Sequence, residues 1–259
     1  MQGTKITCVC CTGFKDRAEA EKIARAANIE TVYDTPEQMI GNVDAVIVAT
    51  DKGFEHVERC RPFVEAGIPM FIDKPLVDNE EDLKTFLKWR EEGAKFISSS
   101  CMRFAKEYEP YYTHNCELGK LMFINSPMSK IYETYGIHAL EAMYPFLGEG
   151  FVSVRHTGTY EQAFVHIKHK SGCNVCIAQG IGMAGAGVTL IGTHGSKYLQ
   201  VTDSYYAFKK QLDLFVSWLR TGQEPFPFDE TIELMKMVIA GIRSREEGGR
   251  EVFLSEICK

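Results

Sequence analysis

The sequence has no excess of positive charge: 29 Lys and Arg stand against 35 Asp and Glu, a formal net charge of -6. A nucleic-acid partner normally requires a basic stripe for its phosphates, so the acidic balance argues against that class of function. An unbroken apolar run is missing too. The one charge-free stretch long enough to cross a bilayer, residues 171–196, is interrupted by Gly172, Asn174, Gln179, Gly180, Gly182 and Gly185, so neither a span nor a membrane partner is expected. The opening Met1-Gln2-Gly3-Thr4-Lys5 lacks the basic region and apolar run of a secretory signal. Nine cysteines, an odd number with three crowded at Cys8, Cys10 and Cys11, lack the pairing of an extracellular framework. Both absences point to a reducing cytoplasm. Internal repeats and low-complexity tracts are absent as well.

What is present is an ordinary globular composition, 45% apolar and 25% charged, over 259 residues. That length suits one large domain or two modest ones and needs no disulfide staples. The first hundred residues alternate strand and helix signals. Lys5–Cys10 reads as a strand, and Asp16 with Glu19 caps a helix ending near Asn28. Thr31–Tyr33 is a short strand, and Thr35, Pro36 and Gln38 open a short helix. Val43–Thr50 is nearly all apolar, as for a strand buried on both faces. A helix with Phe54, Val57 and Val64 inward closes at Gly67; strand Pro69–Ile72, a helix from Asn79 and strand Lys95–Ser98 follow. Five strands joined by four helices predict a doubly wound parallel α/β sheet over residues 1–100.

From residue 101 to 259 the rhythm is that of a mixed α/β domain. It begins with a helix over about Lys106–Cys116, and a hairpin turns at Ser171-Gly172. Two amphipathic helices close it, with Phe208, Leu212, Phe215 and Leu219 on one face of the first and Ile232, Met235, Ile239 and Ile242 on one face of the second.

Three patterns invite chemistry. Gly180-Ile181-Gly182-Met183-Ala184-Gly185 fits G-x-G-x-x-G, but a strand-like run follows where the dinucleotide fingerprint needs a helix, so a Gly-rich strand connection is the favoured reading. His166, His169, Cys173 and Cys176 are zinc-type ligands, yet three-residue spacing on a hairpin turns members of each pair to opposite faces, and no metal is expected. The third pattern is the pair of strand ends, Thr50-Asp51 and Asp73-Lys74-Pro75. Ligands of doubly wound sheets sit beyond the carboxyl ends of the strands, which makes these five residues candidate contacts.

Here the sequence resembles the Gfo/Idh/MocA oxidoreductases from about Lys5 to Leu254. Asp73-Lys74-Pro75 is similar to that family's Glu-Lys-Pro element; Ser100-Cys101-Met102-Arg103-Phe104 is similar to the end of its last nucleotide-domain strand. Tyr135-Gly136-Ile137-His138, before an apolar helix and Leu147-Gly148, resembles the segment carrying its catalytic His. The resemblance implies NAD or NADP as cofactor, a sugar, polyol or related hydroxyl compound as substrate, and a homo-oligomer. It implies Lys74 and His138 as catalytic, with the His exchanging a proton with the substrate hydroxyl, and Thr50, Asp51, His56, Asp73, Lys74, Pro75 and Arg103 as cofactor contacts. Imidazole suits that exchange because its ordinary pKa lies near neutrality.

Two departures stand out. Thr134, beside Glu133, occupies the position where the family commonly has an Asp four residues before this His. The family's first strand and G-x-G-x-x-G turn have no counterpart before Lys5, so the resemblance is to an N-terminally shortened member, with Cys11 where an acid usually reads the ribose. These departures open an alternative, a catalytically silent homologue that binds a ligand or acts as a scaffold. Two expectations follow. Lys5–Cys10 should pair directly with Val43–Thr50, giving strand order 2-1-3-4-5, because an open slot leaves two rows of backbone groups unpaired. In that arrangement the loop Cys11-Thr12-Gly13-Phe14-Lys15 would offer amides and Lys15 to a phosphate. Lys74 and His138 should converge on one cleft, walled by Thr50, Asp51 and Arg103.

Overall fold

Strand and helix do alternate through the first hundred residues of the computed structural model, which describes residues 3–112 and 117–258. The order is β1 (Cys8–Cys10), α1 (Arg17–Ala26), β2 (Thr31–Tyr33), β3 (Val46–Val48), α2 (His56–Glu65), β4 (Met70–Ile72), α3 (Glu80–Glu91) and β5 (Phe96–Ser98). The capping chemistry is as the residue types require. Asp16 and Asn79 side chains accept from the Glu19 and Asp82 amides, and Gln38 Oε1 accepts from the Asp34 amide at 2.8 Å. All pairings in this half are parallel: β1 with β2, and β3 with β4 with β5.

The expected β1–β3 ladder does not form. The strands fall into two sheets, β1-β2 and β3-β4-β5, with no hydrogen-bonded pairing between them. The face of β3 is also less covered than that of its neighbours: Ile47 is 43% exposed, whereas its register neighbours Phe71 and Ile97 are buried. Side chains join the pieces instead. Arg59 on α2 donates to the Thr12 carbonyl at 3.0 Å, bringing the loop after β1 to the end of β3. The inward stripe of α2 is also displaced from the expected one. His56, Cys60 and Phe63 are buried, Val57 and Val64 are half-buried, and Phe54 is exposed on a 3-10 turn before the helix.

The second half is built on one seven-stranded mixed sheet. Its strands are β6 (Leu121–Ser129), β7 (Phe151–His156), β8 (Gln162–His169), β9 (Asn174–Gly180), β10 (Gly187–Gly192), β11 (Ser196–Gln200) and β12 (Val252–Phe253), in order β11-β10-β6-β9-β8-β7-β12. β8 and β9 form the expected antiparallel hairpin, while β6 and β9 are parallel. The glycine-rich segment after β9 connects it to β10 without a helix. Helix α4 (Ile137–Leu147) packs on this sheet, and α5 (Ser204–Thr221) and α6 (Phe228–Glu246) follow. The expected helix over 106–116 is absent from its described part, where Pro110 lies in a three-residue 3-10 turn, Glu109–Tyr111; residues 113–116 lie outside the described residues.

Helix α5 returns to the first half and covers the far face of β4 and β5. Phe215 and Trp218 pack on Phe71 and Ile97, with the Phe71 and Phe215 rings 5.7 Å apart. Burying four such side chains contributes about 1.5–3 kcal/mol each before entropy is counted. Its outer residues Phe208 and Leu219 are exposed, so the expected apolar face is buried over only part of its length. On α6, Met235 and Ile239 are buried as expected, and Ile232 and Ile242 are half-buried at its margin.

Candidate active site

The carboxyl ends of β3 and β4 and the start of α4 meet at a cleft of about 670 Å³. Thr50 and Asp51 after β3, Asp73 and Lys74 after β4, and Tyr135 and His138 from the second half all line it. So do Thr12, Gly13 and Lys15 from the loop after β1. A second concavity, about 520 Å³ between Glu37 and Arg61, holds none of the candidate residues.

Lys74 is 7% exposed and stands just after β4. Its ammonium lies 3.2 Å from Asp73 Oδ2 and 5.1 Å from the centre of the Tyr135 ring. A buried cation is thus compensated by a carboxylate and an aromatic face. Tyr135 belongs to a π-helical turn, Tyr132–Gly136, that leads directly into α4. Its hydroxyl accepts from Lys130, and its ring meets the His138 ring edge-on with centres 4.7 Å apart.

His138, in the first turn of α4, is 9% exposed. Burial, reinforced by the charges of Lys74 and Lys130, pushes its imidazole down to about 3. The ring is therefore neutral across the physiological range. Its Nδ1 lies 2.6 Å from Ser100 Oγ, and Nε2 has no protein hydrogen-bond partner among the described residues. Thr134 does not supply the partner, and Glu133 is turned away into an ion pair with Arg245. Ser100 precedes the 3-10 turn Cys101–Phe104, and its hydroxyl also accepts from the Met102 amide.

Two expected contacts lie elsewhere. Arg103 is not on the cleft wall. It is 7% exposed, paired with Glu141 of α4 and Glu230 of α6, and its guanidinium stacks 4.4 Å from the Phe226 ring centre. Burial alone would lower this group, but the two carboxylates more than offset it and hold it raised. Arg103 therefore ties the end of β5 to α4 and α6. His56 is fully buried behind the site, Nδ1 2.9 Å from the Leu76 carbonyl and Nε2 2.9 Å from the Thr50 carbonyl. It links the segments after β3 and β4 that carry Thr50 and Lys74. Pro75 is buried beside Lys74.

The zinc-type residues are engaged separately. His166 Nε2 meets Asn174 Oδ1 at 2.8 Å, and His169 meets Ser171 Oγ at 2.9 Å and the Glu149 carbonyl at 3.2 Å. The eight described cysteines are free thiols.

The residues present fit a dinucleotide in character. The cleft falls within the usual 300–1,000 Å³ of ligand sites. Thr50 Oγ1 is buried with no hydrogen-bond partner among the described residues, a polar atom left for a ligand. At Gly13 the space a Cβ would fill meets only the Thr50 methyl, at 3.9 Å, and Lys15 and Lys52 bring positive charge to the same wall.

Comparison with known proteins agrees with this fold. Residues 2–99 match the family model described as an oxidoreductase family with an NAD-binding Rossmann fold, GFO_IDH_MocA. No curated protein matches the chain by sequence. Among solved structures, myo-inositol 2-dehydrogenase from Lactobacillus plantarum aligns with TM-score 0.84 at 19% identity, over 97% of this chain and 92% of that one. Scyllo-inositol dehydrogenase from Lactobacillus casei, with NAD(H) and scyllo-inositol bound, aligns with TM-score 0.81 at 15% identity, over 98% and 93%. An oxidoreductase from Agrobacterium radiobacter in complex with NAD+, L-tartaric acid and magnesium gives TM-score 0.81 at 14% identity, over 98% and 92%.

Proposed function

We propose, from the premise that the chain carries the Gfo/Idh/MocA oxidoreductase fold, that it catalyses reversible hydride transfer between a nicotinamide dinucleotide and a hydroxyl-bearing carbon of a sugar, polyol or related acid. The observation that carries the reading is the convergence of Lys74, Tyr135 and His138 at the carboxyl ends of β3 and β4. Residues 1–100 act as the nucleotide-binding domain, and residues 101–259 as the domain that shapes the substrate pocket and the homo-oligomer surface.

Thr50, Asp51, Asp73 and Lys74 are the contacts proposed for the dinucleotide, with Pro75 setting the backbone and His56 bracing the wall from behind. The bound nicotinamide supplies or accepts the hydride. The chain's own residues manage the substrate oxygen. Lys74, held by Asp73, brings an ammonium with a transferable proton. His138 is a neutral imidazole that hydrogen-bonds the same oxygen, a weaker proton carrier than a histidine near its ordinary pKa. That depression also favours the second reading, a catalytically silent homologue that binds a ligand or acts as a scaffold.

Titration with NADH and NADPH, followed by nicotinamide fluorescence and by melting temperature, separates the readings. A cofactor that binds the native state raises the melting point by mass action. Saturable binding with turnover of a polyol supports the dehydrogenase. Binding without turnover, or a flat titration, favours the catalytically silent homologue over the dehydrogenase.

A further inference from the structure

Ser100 meets the reacting histidine from the other half of the molecule. It follows β5, and its side chain is 1% exposed. Three hydrogen bonds fix it: its amide donates to Glu141 Oε1 at 3.1 Å, its Oγ accepts from the Met102 amide at 3.1 Å, and Oγ lies 2.6 Å from His138 Nδ1. His138 and Glu141 stand three residues apart on α4, so one face of one helix grips both the side chain and the backbone of Ser100.

We propose that Ser100 is a positioning residue that fixes the tautomer of His138, keeping Nδ1 as the acceptor nitrogen and presenting an Nε2–H to the substrate oxygen. The inference rests on the dehydrogenase reading for its chemical meaning and on hydrogen-bond accounting for its content. Among the described residues, the Ser100 hydroxyl has no acceptor for its own proton other than His138 Nδ1. Were Nδ1 protonated and donating to Oγ, a buried O–H would be left unpaired, which proteins rarely tolerate. With O–H donating to Nδ1, both groups are satisfied, and the ring proton must reside on Nε2. Nε2 is the nitrogen without a protein partner, on a ring that lines the cleft.

The consequence is a division of labour. An Nε2–H polarises a carbonyl oxygen and steadies the alkoxide but has no second proton to release, as with a neutral imidazole serving as electrophile. The proton moves on Lys74. In carbonyl reduction a bound nicotinamide would supply the hydride, and the Lys74 Nζ–H bond would break as the substrate O–H bond forms, leaving a neutral amine. In alcohol oxidation the same amine takes the proton back.

The test is the nitrogen spectrum of the imidazole in protein labelled with 15N-histidine, without cofactor or substrate, the His138 signals being assigned by their loss in His138→Gln. The expected spectrum has His138 Nδ1 unprotonated and Nε2 protonated. Ser100→Ala should shift both nitrogens towards a mixture of tautomers, and Ser100→Thr, which keeps the hydroxyl, should restore the wild-type pattern. A protonated Nδ1 in the wild-type protein overturns the proposal, and so does a spectrum that Ser100→Ala leaves unchanged. If Ser100→Ala fails to fold, the wild-type spectrum still decides. Because no dinucleotide is present, failure here leaves the function reading intact, and a flat cofactor titration leaves the tautomer assignment intact.

Discussion

His138 is the residue whose burial has the clearest consequence outside catalysis. Its native pKa, about 3, lies below the ordinary 6.5, so between those values the unfolded chain binds a proton that the folded chain refuses. Stability attributable to this group is fully present above about pH 6.5 and falls as the pH drops towards 3. At about pH 5 the loss relative to neutrality is about 2 kcal/mol from this residue. His138→Gln should flatten that part of the stability-versus-pH curve, measured by urea melts at several pH values; an unchanged slope would mean the imidazole is not held neutral. Lys74 carries the complementary expectation. Lys74→Ala should lower turnover by about 10²–10⁴ while moving the melting temperature by only a few degrees, since its ammonium is compensated by one half-buried carboxylate. At this scale the two catalytic candidates were legible, because each lies in a short recognisable segment. Ser100 was not. Its contact with His138 joins residues 38 apart in sequence, and a serine at a strand end has no local signal for such a role. Arg103 was misassigned for the same kind of reason: its carboxylate partners come from α4 and α6, far along the chain.

Among the elements, α4 sets the geometry, because it delivers His138 to the cleft and Glu141 to Arg103 from one rigid segment. Glu141 is only 2% exposed, so removing its cation leaves a buried carboxylate without a counter-charge. Arg103→Met should destabilise the fold by about 3–5 kcal/mol, read as a lower urea midpoint with an unchanged slope. The double variant Arg103→Met, Glu141→Leu should recover part of that loss, because it removes the stranded buried carboxylate, while the Ser100 amide and Glu230 still lack their partners. No recovery would show that Arg103 acts through other contacts. Strand and helix order followed from hydrophobic runs and caps, and β2 matches its expected bounds. Inward stripes were harder to read. Phe54 looked like the start of the α2 stripe, but it sits on the 3-10 turn Gly53–Glu55 and faces solvent. The strand–strand closure failed because a ladder is a long-range choice that local hydrophobic runs do not fix.

At the scale of the whole molecule, two parallel sheets and a seven-stranded mixed sheet are held together by side-chain ties, and the cleft lies where their elements meet. That architecture was legible in the change of rhythm near residue 100. The division of the parallel strands into two sheets was not, and it bears on the central claim, since one wall of the cleft is the loop from β1 and another the end of β3. The most direct test is fluorescence titration of NADH and NADPH into the intact protein, with Thr50→Trp, which fills the cleft at the end of β3, as the control. Saturable, one-to-one binding by the wild-type protein, with a matching rise in melting temperature and its loss in Thr50→Trp, is the expected result. Titrations with both nucleotides that never saturate, or binding that Thr50→Trp leaves intact, would contradict a dinucleotide site in this cleft.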